Sequence, residues 1–95
     1  MRIVGRERLS QAEADHRGSG LVKALQAWVK VVEGARWRHF MDVRATWSGV
    51  DNVPPYVVFD LKGNQFRLTA AINYAAGTVL VMKVQTHKDY SRKGL

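Results

Sequence analysis

The sequence predicts an α+β fold in which N-terminal helices pack on one face of a small antiparallel β-sheet. Residues 7 to about 47 place apolar side chains at helical spacing, whereas residues 56–86 alternate between apolar and polar residues, as half-buried strands do. Short turns separate the alternating stretches, which favours antiparallel neighbours. A chain of 95 residues is long enough for one small domain, so we expect residues 1–95 to form a single unit.

The helical half contains one strong pattern and two weaker ones. Residues 10–13 read Ser-Gln-Ala-Glu, a capping-box pattern that begins or interrupts a first helix. A second helix is predicted from one continuous apolar stripe, formed by Leu21, Ala24, Leu25, Trp28, Val29 and Val32. Ser19 can cap its start and Gly34 its end. A shorter third helix is expected between residues 40 and 47.

The second half of the chain contains three predicted strands, and Arg2–Val4 is a weaker candidate for an opening strand. Residues 48–55, which include a double proline, are predicted to be a loop. The strands follow at residues 56–62, 65–74 and 78–85. Gly63-Asn64 supplies the first turn between them, because both residues tolerate positive φ, and Ala-Ala-Gly at 75–77 supplies the second.

Alternation along these strands predicts which side chains share a face of the sheet. The helix-covered face is expected to hold Val57, Phe59, Leu61, Phe66, Leu68, Ala70, Ile72, Leu80, Met82 and Val84. The opposite face would then present Lys62, Arg67 and Lys83 together. Such a basic face suits RNA, although cations also commonly solvate the open side of an antiparallel sheet.

The charge balance narrows the class of partner. Fifteen Lys and Arg residues against eight Asp and Glu give a net charge of +7, which favours a nucleic acid, an anionic membrane or an acidic protein. The absence of cysteine excludes a disulfide scaffold, a thiolate zinc site and a cysteine nucleophile. No metal-ligand spacing or nucleotide-binding loop occurs, so neither a cofactor nor a metal is predicted. No apolar run is long enough to cross a membrane, and a cytoplasmic protein is expected.

Two residues after the last strand have the chemistry for RNA cleavage without a metal. That reaction requires a base for the 2′-OH, stabilisation of charge on the phosphorus and an acid for the departing 5′-oxygen. Histidine can serve as acid or base, and tyrosine can exchange a proton beside a cation, so His87 and Tyr90 are the candidates for these proton transfers. Arginine stabilises phosphate charge through its fork of donors. A single histidine in a small domain is more often structural, which is our interpretation of His16 and His39.

Several motifs resemble those of a known family. Residues 59–68 (FDLKGNQFRL), followed by Ala-Ile-Asn-Tyr at 71–74, resemble a strand pair that recurs in HigB-type toxins. Residues 86–90 (THKDY) resemble the closing signature of the same toxins, and Leu25-x-x-Trp28 and Trp37 also fit their layout. The basic residues 91–95 depart from the family, in which an aspartate often follows the tyrosine. On these residues the chain resembles a HigB toxin of a type II toxin–antitoxin system, within the RelE/ParE-like superfamily.

The resemblance implies a ribosome-dependent mRNA endoribonuclease, an mRNA interferase that cuts translated mRNA and inhibits translation. Its implied partners are the ribosome, mRNA and a HigA-type helix-turn-helix antitoxin, with operator DNA contacted only through the antitoxin complex and no membrane. The implied catalytic residues are Arg67, His87 and Tyr90, and the implied RNA-binding residues are Lys62, Asn64, Lys83 and Lys88. A non-catalytic RNA-binding module and a ParE-like toxin directed at DNA gyrase are the alternatives. Which of His87 and Tyr90 is the base stays open.

Overall fold

The computed structural model describes residues 1–94, which form helices packed against one mixed sheet. In chain order the elements are β1 (Arg2–Val4), α1 (Arg6–Asp15), α2 (Leu21–Gly34), α3 (Phe40–Thr46), β2 (Val50–Val53), β3 (Tyr56–Leu61), β4 (Phe66–Asn73), β5 (Thr78–Thr86) and α4 (His87–Lys93). The predicted α+β class is confirmed. The described helices are too short or too polar to cross a membrane.

The sheet has the strand order β1-β5-β4-β3-β2. Strands β3 to β5 are antiparallel, as predicted. Strand β2 adds an antiparallel neighbour to β3, whereas β1 pairs with β5 in parallel, so the sheet is mixed. All three N-terminal helices lie between β1 and the other strands in the sequence, which gives the chain room to return parallel to β1. The prediction of a loop over residues 48–55 is wrong for Val50–Val53, which pair with β3 across a Pro54–Pro55 turn.

The first two helices begin at left-handed glycines. Helix α1 starts after Gly5 and not at Ser10, so the Ser-Gln-Ala-Glu pattern lies inside the helix and the capping-box prediction is wrong. Gly5 has φ 88°, and a Cβ there would stand 2.9 Å from the carbonyl oxygen of Val81. Helix α2 starts after Gly20, and the hydroxyl of Ser19 accepts a hydrogen bond from the Leu21 amide at 3.2 Å. It ends at Gly34, as predicted.

The core is centred on an aromatic cluster, which we define as Phe59 and the three tryptophans around it. Trp28 and Trp47 meet the Phe59 ring edge-on, with centroid distances of 5.5 and 6.4 Å, and Trp37 stacks on it at 6.1 Å. The apolar stripe of α2 brings Trp28 into this position, because its buried residues lie one or two helical turns apart. These contacts show that the three tryptophans pack the core.

A bulge in β5 changes which side chains face the core. Thr69 pairs with Lys83 but the next residue, Ala70, pairs with Val81, so Met82 is an extra residue without a partner. The alternation of β5 therefore shifts by one position. Val84 packs against the core, whereas Leu80 is 40% exposed. The assignment of Leu80 to the helix-covered face is wrong, and the buried residues are Val79 and Val81. Met82, the inserted residue, lines a groove along α1.

Candidate functional site

A row of polar side chains crosses the face of the sheet opposite the aromatic cluster. Asp60 of β3 pairs with Arg67 of β4, which pairs with Gln85 of β5. Each alternates along its strand with residues that point into the core, such as Phe59 and Leu68. The sequence therefore places an arginine between an acidic and an amide side chain on three neighbouring strands.

Arg67 is the central residue of this row and is only 8% exposed. Its Nε lies 3.1 Å from Oδ1 of Asp60, in an ion pair. Its Nη1 donates to the carbonyl oxygens of Asn64 and Phe66, at 3.2 and 3.3 Å. Within residues 1–94, Nη2 has no protein partner. The protein thus fixes one side of the guanidinium and leaves the N–H groups of Nη2 available to an anion.

Asp60 is itself held in place by the aromatic cluster and by the segment before β2. Its amide donates to the Gly49 carbonyl at 2.7 Å, and its carbonyl accepts a hydrogen bond from Nε1 of Trp47 at 2.9 Å. A Cβ at Gly49 would stand 3.1 Å from Cβ of Asp60, so a larger residue there would require Asp60 to move by a few tenths of an ångström. Sequence reasoning missed Asp60 as a site residue. The hairpin register could have identified it, because a two-residue turn at Gly63-Asn64 places Asp60 directly opposite Arg67.

Residues 87–93, which follow β5, form helix α4, an element not predicted from the sequence. The Thr86 hydroxyl caps α4 by accepting a hydrogen bond from the Asp89 amide at 3.1 Å. The His87 amide donates to the carbonyl of Gln65 at 2.8 Å, which ties the start of α4 to the β3–β4 turn. The Thr86 cap and the backbone hydrogen bond of His87 together position α4 directly beside the polar row.

Helix α4 brings Tyr90 against Arg67. The Cζ atom of Arg67 lies 5.7 Å from the centroid of the Tyr90 ring, a cation–π contact. His87 lies one helical turn earlier, so the two side chains share a side of α4. The His87 ring is exposed, and its Nε2 lies 3.4 Å from the hydroxyl of Ser91. The structure thus brings Arg67 and Tyr90 into contact and places His87 at the solvent-facing edge.

The four residues expected to bind RNA lie in different places. Asn64 is exposed in the turn beside Arg67, and Lys88 is exposed on the first turn of α4. Lys83 pairs with Thr69, one row from Arg67, and lines a groove along α1. Lys62 has φ 51° and lies against Gly20 in the α1–α2 loop. The prediction that Lys62 shares a face with Arg67 is wrong, because the strand ends at Leu61 and the chain turns.

Two buried polar atoms beside Arg67 lack a hydrogen-bond partner within residues 1–94. They are the Thr69 hydroxyl and Oε1 of Gln85, although Nε2 of Gln85 donates to the Gly94 carbonyl at 3.3 Å. Leaving such a group unsatisfied costs about 1–3 kcal/mol, but Nε1 of Trp28 in the aromatic cluster is unsatisfied too, so these atoms do not by themselves mark a functional site. No cluster of three or more metal-ligating side chains occurs among residues 1–94.

His16 and His39, interpreted as structural from the sequence, lie away from this row. The His16 ring meets Phe66 edge-on at 5.0 Å, on the helix-covered side of the sheet. The His39 ring is exposed, with Nε2 3.8 Å from the Asp42 carboxylate. Neither contacts Arg67, His87 or Tyr90.

The comparison with protein families identifies the family of the chain. No curated protein matches the chain. A model of the HigB toxin family, described as the RelE-like toxic component of a toxin-antitoxin system, matches residues 22–93. The match runs from α2 to α4 and includes Arg67, His87 and Tyr90. An antitoxin partner follows from that description. The chain therefore belongs to the HigB toxin family of RelE-like toxins.

Proposed function

We propose that this toxin is a ribosome-dependent endoribonuclease that cuts translated mRNA at the face formed by Arg67, Tyr90 and His87. The observation that carries the proposal is the contact between Arg67 and Tyr90, together with the unpartnered Nη2 of the same arginine. The Arg67 guanidinium can hold a phosphate, and the adjacent Tyr90 hydroxyl can exchange a proton with the ribose 2′-oxygen or with the departing 5′-oxygen.

The proposed reaction is an attack of the ribose 2′-oxygen on the neighbouring phosphorus. A base takes the 2′-OH proton, the new O2′–P bond forms, and the P–O5′ bond breaks. An acid gives a proton to the departing 5′-oxygen, so the products are a 2′,3′-cyclic phosphate and a 5′-hydroxyl end. Arg67 donates from Nη2 to the phosphate oxygens, whose negative charge increases as the fifth bond forms.

His87 and Tyr90 supply the two proton transfers. Tyr90 is half-buried above Arg67, while His87 is exposed at the start of α4. A scissile phosphate bound at Nη2 would therefore have Tyr90 beside it and His87 towards solvent. Either residue can be the base, with the other as the acid. Both are held on one short helix, which keeps their spacing constant.

The dependence on the ribosome has a structural rationale in the different depths of the two groups. Arg67 is almost fully buried and His87 is exposed, so an mRNA strand must be aligned with one group inside the protein and one at its surface. A message held in the decoding site is already ordered, which removes much of the entropic cost of alignment. Asn64 and Lys88, beside the polar row, are proposed RNA contacts, with Lys83 and Lys62 further away.

The proposed partner for neutralisation is a HigA-type antitoxin with a helix-turn-helix domain, which would bring the complex to operator DNA. The net charge of +7 favours an acidic segment in that antitoxin. The test of the nuclease proposal is independent of that partner.

The test is induction of the protein in bacteria followed by primer extension on a translated message. The wild type is compared with a His87→Ala, Tyr90→Phe double variant, which removes both proton-transfer groups and keeps the ring over Arg67. A His39→Ala, Tyr56→Phe variant is the matched control. We expect codon-phased cuts from the wild type and the control and none from the double variant. Arrest without cuts, or DNA damage, would contradict the proposal and favour a binding module or a gyrase-directed toxin.

A further inference from the structure

A second basic surface lies at the far end of β4, which we call the arginine cleft. It has a volume of about 780 Å³ and is lined by three arginines, Arg2, Arg36 and Arg38, together with Tyr74 and the turn that follows it. Arg67 and Tyr74 are seven residues apart, which corresponds to about 20 Å along a strand. The arginine cleft is therefore a separate surface from the polar row.

The backbone around the cleft directs its arginines outward. Trp37 is buried in the aromatic cluster, so its neighbours Arg36 and Arg38 are exposed on the α2–α3 connection. Ile3 is buried in the same way, and the Arg2 amide donates to the Gly77 carbonyl at 2.8 Å. A buried neighbour, Ile3 or Trp37, thus sets the position of each arginine. The fold brings the three arginines together at one cleft.

The guanidinium groups of these arginines are unpaired within residues 1–94, and the nearby Asp42 carboxylate accepts a hydrogen bond from the Arg38 amide at 2.9 Å and not from a guanidinium group. None of the three guanidinium groups forms a hydrogen bond or an ion pair, and the one carboxylate that lines the cleft, Glu33, is paired with Arg6. The other grooves differ. The groove between α1 and α2 holds Arg6 and Lys30 with Glu13 and Glu33, which balances its charge. The excess of positive charge in the arginine cleft favours binding of an anion from outside the protein.

We propose that the arginine cleft binds the phosphate backbone of RNA, and that it serves as a docking surface distinct from the site of cleavage. The choice of RNA as the anion rests on the proposed function, since an enzyme that acts on translating ribosomes is surrounded by RNA. Arginine suits this ligand because its planar fork donates two hydrogen bonds to one phosphate. Tyr74 adds a hydroxyl at the edge of the cleft, and burial raises the pKa of that hydroxyl so that it stays a neutral donor.

The test measures RNA binding without cleavage. An RNA carrying 2′-O-methyl groups lacks the attacking hydroxyl, so its affinity for the protein can be followed by fluorescence anisotropy over a range of salt concentrations. The test variant is Arg2→Gln, Arg36→Gln, Arg38→Gln. The control variant is Arg8→Gln, Arg17→Gln, Lys23→Gln, which removes three exposed and unpaired cations elsewhere. Both variants have the same net charge, 7 − 3 = +4.

We expect the test variant to lose roughly tenfold or more in affinity and to flatten the dependence of log affinity on log salt by about 2 to 3, because each lost phosphate contact removes about one released counterion. The control variant should change affinity by less than about twofold. A short duplex and its separated single strand, tested side by side, identify which form of RNA the cleft prefers. Arg36→Gln, Arg38→Gln leaves β1 untouched and should show the larger part of the loss.

Three outcomes would overturn the proposal. Equal losses in both triple variants would mean that affinity follows summed charge alone. No loss in the test variant would mean that the cleft does not contact RNA. A loss of affinity for the antitoxin without a loss for RNA would assign the cleft to the antitoxin. Cleavage of translated message is measured separately, so a protein that binds RNA through the cleft but cuts nothing would refute the nuclease proposal and leave this one standing.

Discussion

The two ends of β4 hold arginines in opposite circumstances. At one end Arg67 is buried, paired with Asp60 and covered by the Tyr90 ring, so the protein has fixed its position and left one nitrogen for a ligand. At the other end the arginines of the cleft are exposed and have no partner within the described residues. Fixed geometry is what a chemical step requires, whereas unpaired mobile cations suit the capture of a long polyanion.

The aromatic cluster joins the two ends. Trp47 bonds to the Asp60 carbonyl on the side of the polar row, and Trp37 lies between Arg36 and Arg38 on the side of the cleft. Both rings pack on Phe59. The same core residue therefore supports a preorganised site and a docking surface, and the difference between them comes from what surrounds each arginine.

The largest expected effect is on stability, when the Phe59 ring that supports both ends is removed. Phe59→Ala removes a fully buried ring that three tryptophans contact, and it should lower the free energy of unfolding by about 3–5 kcal/mol. Chemical denaturation measures this change. Met41→Ala, at a residue that is 62% exposed, is the control and should stay within about 0.5 kcal/mol of the wild type. A loss for Phe59→Ala no larger than that of the control would mean that the cluster does not support the two ends.

The next largest effect compares an arginine-to-lysine substitution at each end of β4 by its effect on the rate of message cutting. Arg67→Lys keeps the positive charge but loses the guanidinium, which donates to the carbonyls of Asn64 and Phe66 from one nitrogen and, as proposed, to the phosphate from another. The rate of message cutting should therefore fall by about 10²-fold. The measurement is single-turnover cleavage on ribosomes programmed with one message. Arg38→Lys, at the cleft, should leave this rate unchanged, since docking needs charge more than fixed geometry. Equal losses from the two substitutions would remove the distinction.

A smaller effect tests how Arg67 is positioned. Asp60→Asn keeps the size of the side chain but weakens the ion pair to Nε, so we expect roughly a tenfold lower cutting rate with an unchanged half-saturating concentration of toxin. Asp51→Asn, on the exposed β2, is the matched control. Asp60 would be merely structural if the variant lost stability yet cut at the wild-type rate when folded.

The smallest effect concerns Tyr74 at the arginine cleft. Burial, and then the nearby Asp42 carboxylate, raises the pKa of Tyr74 in the folded protein above its ordinary value. The unfolded chain therefore loses this proton first, so the stabilisation is complete below about pH 10 and disappears as the pH rises through the higher folded pKa. Thermal unfolding should show a weaker alkaline decline for Tyr74→Phe than for the wild type or Tyr56→Phe. Identical declines in all three proteins would refute the shift.

The features that the sequence predicted are those encoded by neighbouring residues. The stripe of α2 and the β3–β4 hairpin are local patterns, and the hairpin alone brings Arg67 opposite Asp60. The pairing of Val50–Val53 with β3 and the parallel pairing of β1 depend on tertiary contacts, because neither segment has an alternating pattern long enough to identify it. The bulge at Met82 could not be predicted from the sequence either. Residues 79–82 are all apolar, so the alternation of buried and exposed residues fits the sequence equally well with and without an inserted residue.

The candidate site follows the same division. The roles of Arg67, His87 and Tyr90 came from residue chemistry and a family resemblance, and the structure adds the contact between Arg67 and Tyr90. The arginine cleft was missed because its three arginines come from β1 and from the α2–α3 connection and face a turn after β4. No sequence window contains them all, so only the folded chain brings them together.

The most direct test of the division between the two ends is the rate of message cutting as a function of toxin concentration, on purified ribosomes, for three proteins. These are the wild type, Arg67→Lys, and the triple variant Arg2→Gln, Arg36→Gln, Arg38→Gln. We predict that Arg67→Lys lowers the maximal rate and keeps the half-saturating concentration, whereas the triple variant raises the half-saturating concentration and keeps the maximal rate. If both variants changed the same parameter, the two ends would not have separate roles.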